Sequence, residues 1–224
     1  MGFARHAGLS GGLLRHESHD AVWHSPDLAF SQTCGYPFTH QFRGLLQYVA
    51  TPHYACDGCD GANYSSFIFA REAKSLAKFS GATPAVNAVD SMSGNLALKL
   101  CFKDFLHGRD FFQPPLITGS HLNSLKAVRE GRADLCAIDS VCVALAKKYR
   151  LEDLEGLTEI ARSQMIPGLP YITRGGNVDH LRDALRKTFH DPQLSAARGA
   201  LLLDGFSILP ADAYDVIPQL EASL

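Results

Sequence analysis

Two apolar periods alternate along the 224-residue chain. Short runs rich in β-branched, aromatic or small apolar residues predict strands at Asp27–Ser31 (DLAFS), Gln47–Thr51 (QYVAT), Ser66–Ala70 (SFIFA), Ala85–Val89 (AVNAV), Leu116–Thr118, Asp134–Ile138 (DLCAI), Leu157–Ala161 and Pro170–Thr173. Apolar residues at helical spacing predict helices over Ser93–Phe105 (Leu96, Leu98, Leu100, Phe102, Phe105), Ser120–Glu130, Ser140–Tyr149, Val178–His190 and Pro210–Leu220, with a short one near Ser195–Leu203. Strands followed in turn by helices specify an α/β fold with mainly parallel strands. In such sheets ligands sit at the carboxyl ends of strands, beside helix N-termini.

Composition narrows the picture. Hydrophobic residues make up 46% and charged residues 20%, enough apolar content for a real core and too much for wholesale disorder. The net charge of −2, without a Lys/Arg run, argues against a nucleic-acid groove or a polybasic membrane surface. No segment approaches the ~18 apolar residues of a membrane span. The opening MGFARHAGLSGGLLRHESHD is a poor secretory signal, because its apolar stretch is short, glycine-broken and ended by Arg15 and His16. The chain therefore reads as soluble and without an evident address.

Six cysteines are too few for a disulfide scaffold at this length. Cys101, Cys136 and Cys142 sit in apolar runs and read as small buried hydrophobes. Cys34, Cys56 and Cys59 sit in turn-like sequence, where free thiols or, in an oxidising compartment, a pairing of Cys34 with Cys56 or Cys59 both fit. Cys56-x-x-Cys59 lacks the second pair that a zinc ribbon needs, and CDGCDG does not open a helix as a thioredoxin-like motif does. No metal site and no cofactor are expected. Walker, dinucleotide, HExxH and EF-hand motifs are all missing from the sequence.

Three successive strand-to-helix junctions carry the candidate chemistry. The first is Asp90-Ser91-Met92-Ser93-Gly94-Asn95, where two hydroxyls and a glycine at a helix start can converge on one anion. Its plain alternative is a serine N-cap. The second is Thr118-Gly119-Ser120-His121, with Ser120 as cap and His121 able to donate to an oxyanion. The third ends a buried strand on Asp139, either as cap of the next helix or as a group that orients His121. Ser93, His121 and Asp139 could compose a hydrolase, but the G-x-S-x-G elbow is missing. Tyr36, Tyr54 and Tyr64 are the aromatic candidates, and Tyr36 follows a strand end with Gln32 and Thr33 beside it.

SQTCGYP, AVNAVDSMSGN, TGSHLNSLKAVREGRADLCAIDSV and MIPGLPYIT together resemble the phosphonate/phosphite/phosphate-type substrate-binding proteins of bacterial ABC importers, in the type 2 periplasmic-binding-protein superfamily. The resemblance runs from about Ala21 to the C-terminus. It implies two α/β lobes, Met1–Pro84 plus Pro170–Leu224 and Ala85–Leu169, joined by two crossovers and closing on a ligand in the cleft. It implies that Ser91, Ser93, Gly94 and Asn95 start the oxyanion-binding helix, that Ser120 and His121 start the next, and that Asp139 faces the same cleft. Tyr36, with Thr33, would close it from the first lobe.

Met92 stands where a hydroxyl residue is common, and Asp139 is a single carboxylate, so a small oxyanion fits better than an aminoalkylphosphonate. The partners implied are that oxyanion and an ABC permease, in the periplasm by resemblance. Only about 26 residues precede DLAFSQT, so the first lobe is expected to be N-terminally truncated, with a sheet edge that a homodimer would cover. Two other readings use the same cleft: an enzyme, since some menaquinone-pathway dehydratases resemble binding proteins and perform elimination on a small carboxylate, with Asp139 or His121 as base; and a cytoplasmic ligand sensor.

Overall fold

The computed structural model describes residues 2–10, 13–14, 18–106 and 111–224. Arg15 and His16 lie outside them. In chain order, α1 (Gly2–His6) and α2 (His19–His24) precede β1 (Ser31–Gln32), α3 (Gly35–Thr39), β2 (Gln47–Tyr54), β3 (Cys59–Asp60), β4 (Asn63–Tyr64) and β5 (Ser66–Ala70). After β6 (Pro84–Val86) the chain enters a wide, π-type helical turn at Met92–Leu96 that runs into α4 (Ala97–Cys101). There follow β7 (Leu116–Ile117), α5 (His121–Arg129), β8 (Leu135–Asp139), α6 (Ser140–Tyr149), β9 (Thr158–Arg162), β10 (Ile166–Pro167), β11 (Tyr171–Thr173), α7 (Val178–His190), α8 (Ser195–Ala200), β12 (Leu203–Ser207) and α9 (Val216–Glu221).

One sheet has the order β7-β6-β8-β5-β9 and another β1-β11-β2-β12. The fold is α/β as expected, but its sheets are mixed rather than mainly parallel. Only β6 pairs in parallel, with β7 and β8; β5 and β9 run antiparallel, and the four-stranded sheet is antiparallel throughout. The reason is connectivity: β5 enters its sheet from the other half of the molecule instead of through a helical crossover. The pairing of β5 with β8 also puts Ser66–Ala70 in the five-stranded sheet. The two chain passages between the two sheets hydrogen-bond to each other as β10-β4-β3, with Ile166 opposite Tyr64.

The near-continuous apolar runs of β5 and β8 follow from burial on both faces. Phe67, Phe69, Cys136 and Ile138 pack with Leu125, Val128 and Val143 on the α5/α6 side. The alternate residues Ile68, Ala70, Leu135 and Ala137 pack with Phe79, Leu98 and Phe102 on the other. Around the four-stranded sheet, α7 buries Leu181, Ala184 and Leu185 against Val49 and Ala50, with Ala7 from the N-terminal segment. A further cluster joins Met92 and Leu96 to Tyr64, Tyr214 and Ile217, and thus spans both halves.

Several predicted elements shift. DLAFS forms a strand only at its end, because two residues suffice to pair with β11. Ser93–Phe105 divides into the wide turn, α4 and a 3-10 turn at Lys103–Phe105. The short helix expected near Ser195–Leu203 ends at Ala200, and Leu203–Ser207, for which the pattern predicts no strand, pairs at the edge of β2. Of the helix expected over Pro210–Leu220, residues 210–215 stay outside α9, the last three as a 3-10 turn.

Candidate functional site

Each of the three junctions is capped by its own side chain. Ser91 Oγ accepts the Gly94 amide (3.0 Å), Ser120 Oγ accepts the Asn123 amide (3.2 Å), and Asp139 Oδ1 accepts the Cys142 amide (2.8 Å). These caps satisfy amides that a helix start leaves unpaired and fix the direction of each helix. The plain capping role is therefore real at all three places. What capping does not explain is the convergence of the remaining groups.

Ser93 Oγ lies 3.0 Å from His121 Nε2, and Asp139 Oδ2 lies 3.2 Å from the same nitrogen. His121 and Asp139 side chains are only 12% and 7% exposed. A carboxylate beside Nε2 favours the tautomer with hydrogen on Nε2, in which Ser93 Oγ accepts. A serine nucleophile needs the opposite arrangement, with the carboxylate on Nδ1–H and Nε2 free to take the hydroxyl proton. His121 Nδ1 is instead buried without a protein partner, as is Asn87 Oδ1. The trio therefore has the parts of a hydrolase without its wiring.

Other predicted residues go elsewhere. Tyr36 Oη donates to Glu221 Oε1 (2.7 Å) and its ring stacks on His40. Asn95 Nδ2 donates to Val89 O (2.6 Å). Thr33 is buried and its amide donates to Pro170 O (3.1 Å). The aromatic beside Ser93 is Tyr64, which is buried. The residues that sequence patterning missed are Cys34 and Asn87. Cys34 Sγ accepts the Met92 amide (3.4 Å), linking the end of β1 to the Ser93 helix, and burial pushes its thiol up. Asn87 fills the space above Gly94; it stands in the middle of AVNAV, just past the end of β6.

The same packing crowds Gly94: a Cβ there would collide with Asn87 Oδ1 and come within 3.2 Å of Ser91 Oγ, so both side chains would have to shift. Gly94→Ala is expected to destabilise the chain by about 1–3 kcal/mol through overpacking, read as a lower urea midpoint at unchanged slope.

Burial raises the phenols of Tyr48, Tyr54, Tyr64, Tyr171 and Tyr214, while the Glu221 hydrogen bond raises Tyr36 to about 12. Unfolded tyrosines lose their protons near pH ~10. Above that pH the unfolded chain binds fewer protons than the folded one, so stability should fall as pH rises from about 10 to 12. Urea midpoints across that range, with phenolate absorbance rising together with unfolding, check this. A flat midpoint would contradict it.

A depression of about 560 Å³ bounded by Phe189, His190, Arg198 and Phe206 lies away from these junctions. The guanidinium of Arg198 gives its Nη1 hydrogens to Thr188 O and Asp191 O (2.8 and 2.9 Å) and so ties backbone segments together there. The Ser93–His121–Asp139 junction is the better candidate on chemical grounds.

Residues 25–214 match the family model of the phosphonate periplasmic substrate-binding proteins of ABC transporters. The chain belongs to that family. The family is periplasmic, takes small-molecule ligands and works with a membrane permease, and it is a family of binding proteins rather than enzymes. Among the described residues no helix is long and apolar enough to cross a membrane.

Solved structures share the fold. PhnD1 from Prochlorococcus marinus, in complex with methylphosphonate, is 12% identical with a TM-score of 0.80, covering 98% of this chain and 88% of its own. A binding-protein component of an ABC phosphonate transporter from Pseudomonas aeruginosa is 17% identical with a TM-score of 0.76, over 98% and 77%. A Xanthomonas citri protein bound to chloride ion is 19% identical with a TM-score of 0.67, over 88% and 76%.

Proposed function

We propose that this member of the family binds a small oxyanion of the phosphonate, phosphite or phosphate type between two lobes, residues 1–64 plus 166–224 and residues 65–165, and delivers it to an ABC permease. The observation that carries the reading is the meeting of Ser93 with His121 at two adjacent helix starts. An anion that enters between Ser93 and His121 would replace their mutual contact and receive both the hydroxyl proton and Nε2–H, in a field that favours negative charge. Asp139 is engaged by the Cys142 amide and by His121. It therefore offers no free carboxylate for a ligand ammonium, which favours a plain oxyanion over an aminoalkylphosphonate.

Ser93 and Asp139 are buried and His121 nearly so. Ligand entry then requires the lobes to part, with the paired β4 and β10 as the hinge. Cys34 on Met92 and the apolar cluster around Tyr64 and Tyr214 hold the closed form. The deciding experiment is calorimetric titration with methylphosphonate, phosphite and phosphate, with 2-aminoethylphosphonate as contrast. The reading expects saturable binding of at least one plain oxyanion, tighter than the amine. No heat with any of them, or a preference for the amine, would overturn it.

A further inference from the structure

The turn Cys56-Asp57-Gly58-Cys59 brings two thiols face to face. Their sulfurs are 3.5 Å apart, and both residues are partly exposed. The turn is closed by the Cys59 amide on Cys56 O (3.1 Å) and is held from several sides. Ser65 donates its amide (2.8 Å) and its hydroxyl (3.1 Å) to Gly58 O. Arg162 grips Asp57 with two parallel hydrogen bonds of 2.7 and 2.8 Å. Gly58 has φ +83° and is pressed so closely on Phe67 and Ser140 that a Cβ would meet both at 2.7 Å. Few rotamers are therefore left to lose when the sulfurs join, and a bond of ~2.05 Å needs them to approach by only about 1.5 Å.

We propose that Cys56 and Cys59 are a redox modification site, closing a reversible intrachain disulfide by exchange with a small-molecule disulfide. Cys59 is the attacking thiol. It accepts hydrogen bonds from Cys56 and from Ser140 Oγ (3.2 Å), which stabilise its thiolate and hold it below the ordinary thiol range; donating raises Cys56. The Cys59 thiolate attacks one sulfur of the disulfide R–S–S–R, whose S–S bond breaks and releases R–S⁻, leaving Cys59 as a mixed disulfide. Cys56, after losing its proton, attacks the Cys59 sulfur and expels the second R–S⁻. The two thiol protons end on the two released thiolates; the protein gives up two electrons and the small disulfide takes them. The bond forms one residue from Asp139, against Ser140, so it is placed where the candidate site meets the hinge.

The test equilibrates the full chain in mixtures of reduced and oxidised glutathione, quenches with acid, alkylates free thiols and digests with trypsin. Residues 44–71 form one tryptic peptide whose only cysteines are Cys56 and Cys59. The expected result is loss of two hydrogens from that peptide, reversed by reduced glutathione. Cys56→Ser should trap a glutathione adduct on Cys59, Cys59→Ser should form none readily, and Cys101→Ser should behave as wild type. A peptide that stays doubly alkylated at every ratio, a stable adduct on the wild type, or cross-links to another cysteine would each overturn the proposal. None of these outcomes depends on the identity of the oxyanion.

Discussion

His121→Ala should weaken oxyanion binding by roughly ten- to a hundredfold, the worth of one charge-assisted hydrogen bond. The loss has two parts. The imidazole that would donate to the ligand goes, and Asp139, now without its partner at 3.2 Å, turns an uncompensated carboxylate toward the site. Because that buried charge also lowers stability, Ser93→Ala is the companion variant. It removes a hydroxyl with little change of shape, keeps the His121–Asp139 contact, and should cost about two- to tenfold in affinity. Calorimetric titration of both variants, with circular dichroism to show that the fold is kept, decides the matter. Wild-type affinity in both well-folded variants would remove the proposed site.

Phe102→Ala should lower stability by about 3–5 kcal/mol, the usual range for an aromatic residue removed from a core. Phe102 is fully buried at the centre of an aromatic group. Its ring lies 4.9 Å from that of Phe112, 5.9 Å from Phe111, 6.1 Å from Phe79 and 6.4 Å from Phe105. These rings fasten α4, and with it the helical turn bearing Ser93, to the face of β5 and β8 lined by Ile68 and Leu135. The effect should appear in calorimetry as a melting temperature lower by roughly 6–20 °C. A loss below about 1 kcal/mol would mean that the rings repack around the gap.

Much of the site was legible before the fold. Ser91, Ser120 and Asp139 stand at strand-to-helix junctions, and junction position with a short polar side chain is enough to predict a cap. That Ser93 and His121 would share one crevice followed from the alternation of strands and helices. The partner of Tyr36 is not legible locally: Glu221, near the far end of the chain, takes its hydroxyl. Nothing local records that Cys34 meets Met92 or that Tyr64 lies beside Ser93, because these residues are distant in sequence.

The sequence by itself determined the elements, the α/β class and the residue types at the helix starts, because hydrophobic period and capping chemistry act over a few residues. Only the tertiary structure decided strand direction, which sheet Ser66–Ala70 joins, and which nitrogen of His121 faces Asp139. Those depend on where β5 enters the sheet beside β8 and on the side-chain orientation that burial imposes. The Ser93–His121–Asp139 triplet and the Cys56–Cys59 pair make the point. Their residue types stand in the sequence, but contacts of 3.0, 3.2 and 3.5 Å decide how they meet, because hydrogen bonding and thiol exchange depend on orientation and reach, which spacing along the chain does not encode.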